Sequence, residues 1–93
     1  MAQNADVVLT ADDWTQLTDA NVTSITFQNK GTYYMLVKGT TDTTKPTSDD
    51  GAVRYNPGQG ERNVALSDLF PGIAAVRVWA YAPKSIEVLV SHA

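Results

Sequence analysis

The residue types able to do chemistry are few in this chain, and their spacing gathers none of them. There is a single histidine, His92. A Ser–His–Asp arrangement needs a buried imidazole oriented by a carboxylate, and a histidine one residue from the end of the sequence rarely obtains that setting. Zinc needs three or four His, Cys or carboxylate ligands. With one His and no Cys, the nitrogen and sulfur ligands are missing. Asp49-Asp50 could hold Ca²⁺ with loop carbonyls, but the spacing is not that of an EF-hand, and two solvated carboxylates explain the pair. Glycosidases hold two carboxylates across a cleft; Glu61, Glu87 and eight Asp, mostly in turns, nominate no such pair. Gly58-Gln59-Gly60 lacks the GxxxxGK[ST] context and the following helix of a phosphate loop, so it reads as a turn. No catalytic residue, cofactor or metal site is expected, and the chain reads as a non-enzyme.

The aromatic residues are the remaining resource: Trp14, Tyr33, Tyr34, Tyr55, Trp79 and Tyr81. Exposed flat rings could stack on a sugar, which makes a carbohydrate-binding module one alternative; it requires rings that are coplanar and solvent-facing. A thin core needs large residues, so Trp14 and Trp79 are expected to fill it. Tyr34, Trp79 and Tyr81 also fall on faces shared with Lys38 and Arg77, and an outward aromatic–Arg cluster is typical of protein contact surfaces. Arg54, Glu61 and Arg62 flank the Pro57-Gly58 turn, either as a charged rim or as surface pairs worth under about 1 kcal/mol each.

The elements that must position these residues have a period of two rather than 3.6. Extended segments are expected at Asp6–Thr10, Trp14–Leu17, Thr23–Gln28, Tyr33–Lys38, Ala52–Tyr55, Glu61–Leu66, Ala75–Ala82 and Ile86–Ser91. Asn29-Lys30-Gly31 carries the residues that tolerate positive φ in tight turns, which predicts a hairpin with Phe27 and Tyr33 paired near its turn. Asn56-Pro57-Gly58 suits a type II turn, and Ser67 is placed to cap one helical turn. Gly39–Gly51 has no large apolar residue, and a loop that long is uncommon inside a compact domain unless it serves function or interaction. The short strands and frequent turns predict an all-β fold, a small antiparallel β-sandwich or barrel of seven to eight strands.

Size and charge narrow the function. The 93 residues (10.1 kDa) suit one domain, 1–93, with a thin core and no deep ligand cavity. The net charge of −3, with basic residues scattered singly, argues against nucleic acid. No apolar run approaches the ~20 residues of a membrane span, and Met1-Ala2-Gln3-Asn4-Ala5-Asp6 has no feature of a secretory signal. A small domain without disulfides must find stability elsewhere, and joining an assembly is one common route.

The layout also resembles the short structural proteins of tailed bacteriophages, prophages and gene-transfer particles. The resemblance lies in Val7-Val8-Leu9-Thr10 followed by Trp14, in Ile25-Thr26-Phe27-Gln28-Asn29, and in a polar loop containing Pro46. It continues through Tyr55-Asn56-Pro57-Gly58-Gln59-Gly60-Glu61-Arg62 and Val78-Trp79-Ala80-Tyr81 to Val88-Leu89-Val90-Ser91. The resemblance implies a head-decoration or capsid-cement protein on the virion exterior, assembled in the host cytoplasm. Its partner would be the major capsid protein or another virion protein, and it would form a homo-oligomer, for which a trimer is one arrangement. A tail, connector or fibre-tip module is the alternative position. No functional residue transfers from the resemblance. The contact residues expected from the chain itself are Lys45, Asp49, Asp50, Arg54, Tyr55, Arg62 and Arg77, and Arg62→Glu is expected to weaken assembly without unfolding the domain.

Overall fold

The computed structural model describes residues 3–92; Met1, Ala2 and Ala93 lie outside them. Eight strands follow one another: β1 (Gln3–Val8), β2 (Asp13–Gln16), β3 (Ser24–Asn29), β4 (Met35–Thr40), β5 (Val53–Tyr55), β6 (Gly60–Ala65), β7 (Arg77–Ala82) and β8 (Glu87–His92). One helical turn, α1 (Leu66–Leu69), lies between β6 and β7. The chain is all-β, as its period-two pattern requires.

The pairing has a simple rule. β1 pairs with β8, β2 with β7, β3 with β6 and β4 with β5, all antiparallel. The first half of the chain therefore runs against the second half as one long double-stranded ribbon whose tip is the β4–β5 connection. Two further pairings, β3 with β8 and β4 with β7, zip the wrapped ribbon into two sheets, β1-β8-β3-β6 and β2-β7-β4-β5. This is the jelly-roll topology of two face-to-face four-stranded sheets.

The wrapping overturns the expected Phe27–Tyr33 hairpin. β3 and β4 are consecutive in the chain but belong to different sheets, so Asn29–Tyr34 carries the chain across the sandwich instead of turning it back. Phe27 meets Tyr55 edge-on at 4.9 Å instead, and Tyr33 is exposed. Asn29, fully buried, organises the crossing. Its Nδ2 donates to the Tyr33 carbonyl (2.8 Å) and the Tyr55 carbonyl (3.3 Å), while its Oδ1 accepts from the Gly31 N–H (2.9 Å). Its main chain exchanges bonds with Gly58 and Gln59, so one side chain and one peptide join two turns. The Asn56–Gln59 turn matches the sequence: the Gln59 N–H returns to the Asn56 carbonyl at 3.0 Å, and Gly58 takes φ +83°. Ser67 is not the helix cap; Ala65 occupies that position without a side-chain hydrogen bond.

Between the sheets lie Leu9, Leu17, Ile25, Phe27, Met35, Val37, Val78, Ala80, Val88 and Val90, each nearly or fully buried. Leu9 and Leu17 directly follow β1 and β2, and the others are the inward phase of their strands, fixed by registers such as Val7 opposite Val88 and Val37 opposite Ala80. Trp14 and Trp79 are buried but do not belong to this core. Gln16 stands opposite Trp79, Trp14 opposite Tyr81, and Lys38 opposite Trp79, so both indoles lie on the outer face of the second sheet. Small residues (Ala80, Ala82, Gly39) fill the inner side of that sheet where the tryptophans were expected.

Candidate functional site

The outer face of the second sheet is built from alternate residues of four strands: Trp14 and Gln16, Arg77, Trp79 and Tyr81, Leu36, Lys38 and Thr40, and Arg54. Its two tryptophans are nevertheless buried, because this part of the face is covered. The ribbon tip, residues 41–52, folds back over it as a strap. From position 41 to 51 every residue is exposed except Pro46, which is buried.

The strap is fastened at both ends and in the middle. Thr40 Oγ1 accepts from Trp79 Nε1 (3.0 Å) and donates to the Asp42 carbonyl (2.6 Å). The Thr44 N–H donates to Asp42 Oδ1 at 2.8 Å, and this bond holds the Asp42 carboxyl below its ordinary value. Lys45 reaches the far edge strand and pairs with Asp13 at 3.1 Å. Lys38 donates to the Ser48 carbonyl at 3.1 Å. The Ala52 N–H closes the last turn on the Asp49 carbonyl at 3.0 Å. Thr47, Ser48 and Asp49 then border a cleft of about 220 Å³ whose other wall is Trp14 and Tyr81. Their rings lie 5.6 Å apart and tilted by 46°. The Tyr81 hydroxyl donates to Asp12 Oδ1 at 3.1 Å, which raises its pKa.

This geometry suits protein contact better than sugar stacking. A stacking platform calls for coplanar, solvent-facing rings, whereas Trp14 and Trp79 are covered and the Trp14–Tyr81 pair is tilted. The strap leaves its hydroxyls and carboxylates exposed on a loop tied to the sheet, while its one ammonium is turned to Asp13.

Five of the residues expected to make contacts lie on or beside this face. Lys45, Asp49 and Asp50 are in the strap. Arg54, at the edge, stacks its guanidinium 4.1 Å above the Tyr34 ring and bonds Asn56 through Nε (3.2 Å). Arg77, at the opposite end, is held by Asn21 Oδ1 at 2.7 Å. Arg62 lies elsewhere, in a bulge of β6. Between the Ile25–Val64 and Phe27–Glu61 pairs, β3 spends one residue and β6 two, with Asn63 at φ +47°. The bulge places Arg62 with Thr26, Gln28 and Leu89 on the outer side of the first sheet. Tyr55 is no surface anchor. It is buried against Phe27, and its hydroxyl donates to Glu61 Oε2 at 3.1 Å; burial first, then Glu61, pushes its pKa far up. The inward phase of β5 dictates this.

His92 also departs from expectation. Its side chain is fully buried, with Nε2 3.1 Å from Gln3 Oε1 and 3.3 Å from Asp19 Oδ1. Gln3 in turn bonds the Leu17 carbonyl at 3.0 Å. The ring ties the end of β8 to β1 and to the segment after β2. Among the described residues, no three His, Asp or Glu side chains gather where they could hold a metal ion.

The residues that sequence reasoning missed are Asp13, Lys38 and Pro46, which fasten the strap. A signal for the covered face was present, because Val78–Ala82 is apolar at both phases, the pattern of a strand buried on its two faces. Compared with family models, with curated proteins and with solved structures, the chain matches none of them.

Proposed function

We propose that this chain is a non-enzymatic structural protein of a phage-type particle, seated on the capsid exterior and held there through its strap. The observation that supports contact through this face is the fastening of residues 41–52. A loop with no large apolar residue has little reason to order itself, yet this one is tied down by Asp13, Lys38, Thr40 and the burial of Pro46. Ordering before binding removes an entropic cost that a loose loop would meet on docking. The jelly roll serves as the rigid base, a role this topology fills in capsid domains as in others. The particle context rests on the resemblance of the sequence layout to virion proteins. In a symmetric shell, many copies of a modest contact sum to firm attachment.

The test is to purify particles from a lysate of the strain carrying the gene and to separate heads from tails on a density gradient. The account expects the chain in the head fraction, released as intact domains by mild denaturant before the shell opens. Its presence in tails alone would move it to the tail or connector position. Its absence from both would overturn the proposal.

A further inference from the structure

The strap ends in a turn whose two corner residues are held by nothing. The Ala52 N–H returns to the Asp49 carbonyl at 3.0 Å, and Gly51 takes φ +79°, which suits the third position of a type II turn. Asp50 and Gly51 form the corner. Both are exposed, and a Cβ placed on Gly51 would touch nothing within 4 Å. Other aspartates are engaged: Asp6 by Lys30, Asp12 by Tyr81, Asp13 by Lys45, Asp19 by His92 and Asp42 by the Thr44 N–H. Among the described residues, neither the Asp50 carboxylate nor the Gly51 N–H has a hydrogen bond or ion pair.

Asp50-Gly51 is also the one place in the sequence where a glycine follows an aspartate or an asparagine. Elsewhere the following residue carries a side chain that crowds its own nitrogen as it approaches the Asp carboxyl. Gly51 has none, and its φ can move through both signs. We infer that Asp50-Gly51 is a site of spontaneous backbone modification, where the chain closes to a succinimide and opens to isoaspartate. The Gly51 nitrogen attacks Asp50 Cγ in its carboxylic acid form. A C–N bond forms, a Cγ–O bond breaks, and the hydroxyl leaves with the amide proton as water. Water then adds to the ring. Cleavage at Cγ restores aspartate, and cleavage at the α-carbonyl leaves the chain running through the side chain. No oxidant, metal or enzyme takes part. The isoaspartyl link adds a carbon to the main chain inside the turn, so the Ala52–Asp49 bond is lost while the Lys45–Asp13 and Lys38–Ser48 fastenings remain. The reaction needs nothing from the capsid reading and can fail without it.

The experiment incubates the purified chain for weeks at neutral pH and body temperature. Isoaspartate is read with an isoaspartyl methyltransferase and labelled S-adenosylmethionine, and located by fragmenting the labelled peptide. The expected result is label at position 50 alone. Its rate should lie within about tenfold of that of a synthetic peptide of residues 47–54, because an exposed turn opens at little cost. Asp50→Glu keeps the charge but would have to close a larger ring, so the label should be lost. Asp50→Asn keeps the shape and offers ammonia as leaving group, so label should appear several times faster, with the mass gain of an amide turned to an acid. Both variants should unfold at the parent's temperature, since the side chain is exposed and unbonded. No label at position 50, equal label at other aspartates, or label that persists in Asp50→Glu would each overturn the inference.

Discussion

The two outer faces of the sandwich follow the same alternation and end in opposite states. On the first sheet the outward positions are Asn4, Asp6, Val8, Thr26, Gln28, Glu87, Leu89 and Ser91, exposed or half-buried, with the bulge at Arg62 beside them. On the second they are Trp14, Gln16, Leu36, Lys38, Thr40, Arg54, Arg77, Trp79 and Tyr81, and the ribbon tip folds over the part that holds the two tryptophans. A strand's period of two settles which residues share a face, but composition settles whether that face must be covered. The covered face uses chain that would otherwise hang free, so one arrangement shields two tryptophans and orders a long polar loop.

The largest expected difference between the faces is in truncation. Trp79→Ala should cost about 3 kcal/mol or more, because it empties a buried site and leaves Thr40 Oγ1 without its indole donor. Leu89→Ala on the bare face should cost within about 1 kcal/mol. Urea unfolding of the two variants measures both, and equal costs would break the comparison.

Loosening the strap should have an intermediate effect. Pro46→Gly removes the strap's buried ring and frees the backbone, which should cost about 1 kcal/mol. It should also shift tryptophan emission to the red and increase acrylamide quenching, with the β-sheet circular dichroism unchanged. An emission spectrum identical to the parent's would mean that the strap does not shield the indoles.

The smallest effect concerns pH. The Asp42 carboxyl lies below its ordinary 3.8 because the Thr44 N–H bonds its charged form. A lowered folded pKa means that this contribution is fully present above 3.8 and is lost as pH falls through the folded value. Strap quenching should therefore be constant from neutral pH down to about 4 and rise only below it. Asp42→Asn should make that rise smaller over the same range.

What was legible in the sequence follows from local rules. Alternation announced the strands, and Pro57-Gly58 announced its turn. The long-range pairing was not legible, because Asn29-Lys30-Gly31 has the chemistry of a hairpin turn while Asn29 is in fact spent on bonding Tyr33 and Tyr55 across a crossing. A wrapped ribbon pairs residues far apart in sequence, and no local pattern encodes which strand lies opposite. The candidate site was half legible. Residues 39–51 stood out by length and polarity, but its fastening to Asp13 and Lys38 depends on β2 and β4 sharing a sheet with β7. Tyr55 was misplaced because its burial depends on the inward phase of a strand of only three residues.

The most direct test of the account is hydroxyl-radical footprinting of the chain, free and on purified particles. The account predicts new protection confined to residues 41–52 and the flanking Arg54 and Arg77, with Gln28, Arg62 and Leu89 as reactive as in the free chain. Protection of Gln28, Arg62 and Leu89 with an unchanged strap would contradict it and would make the bare face the one that docks.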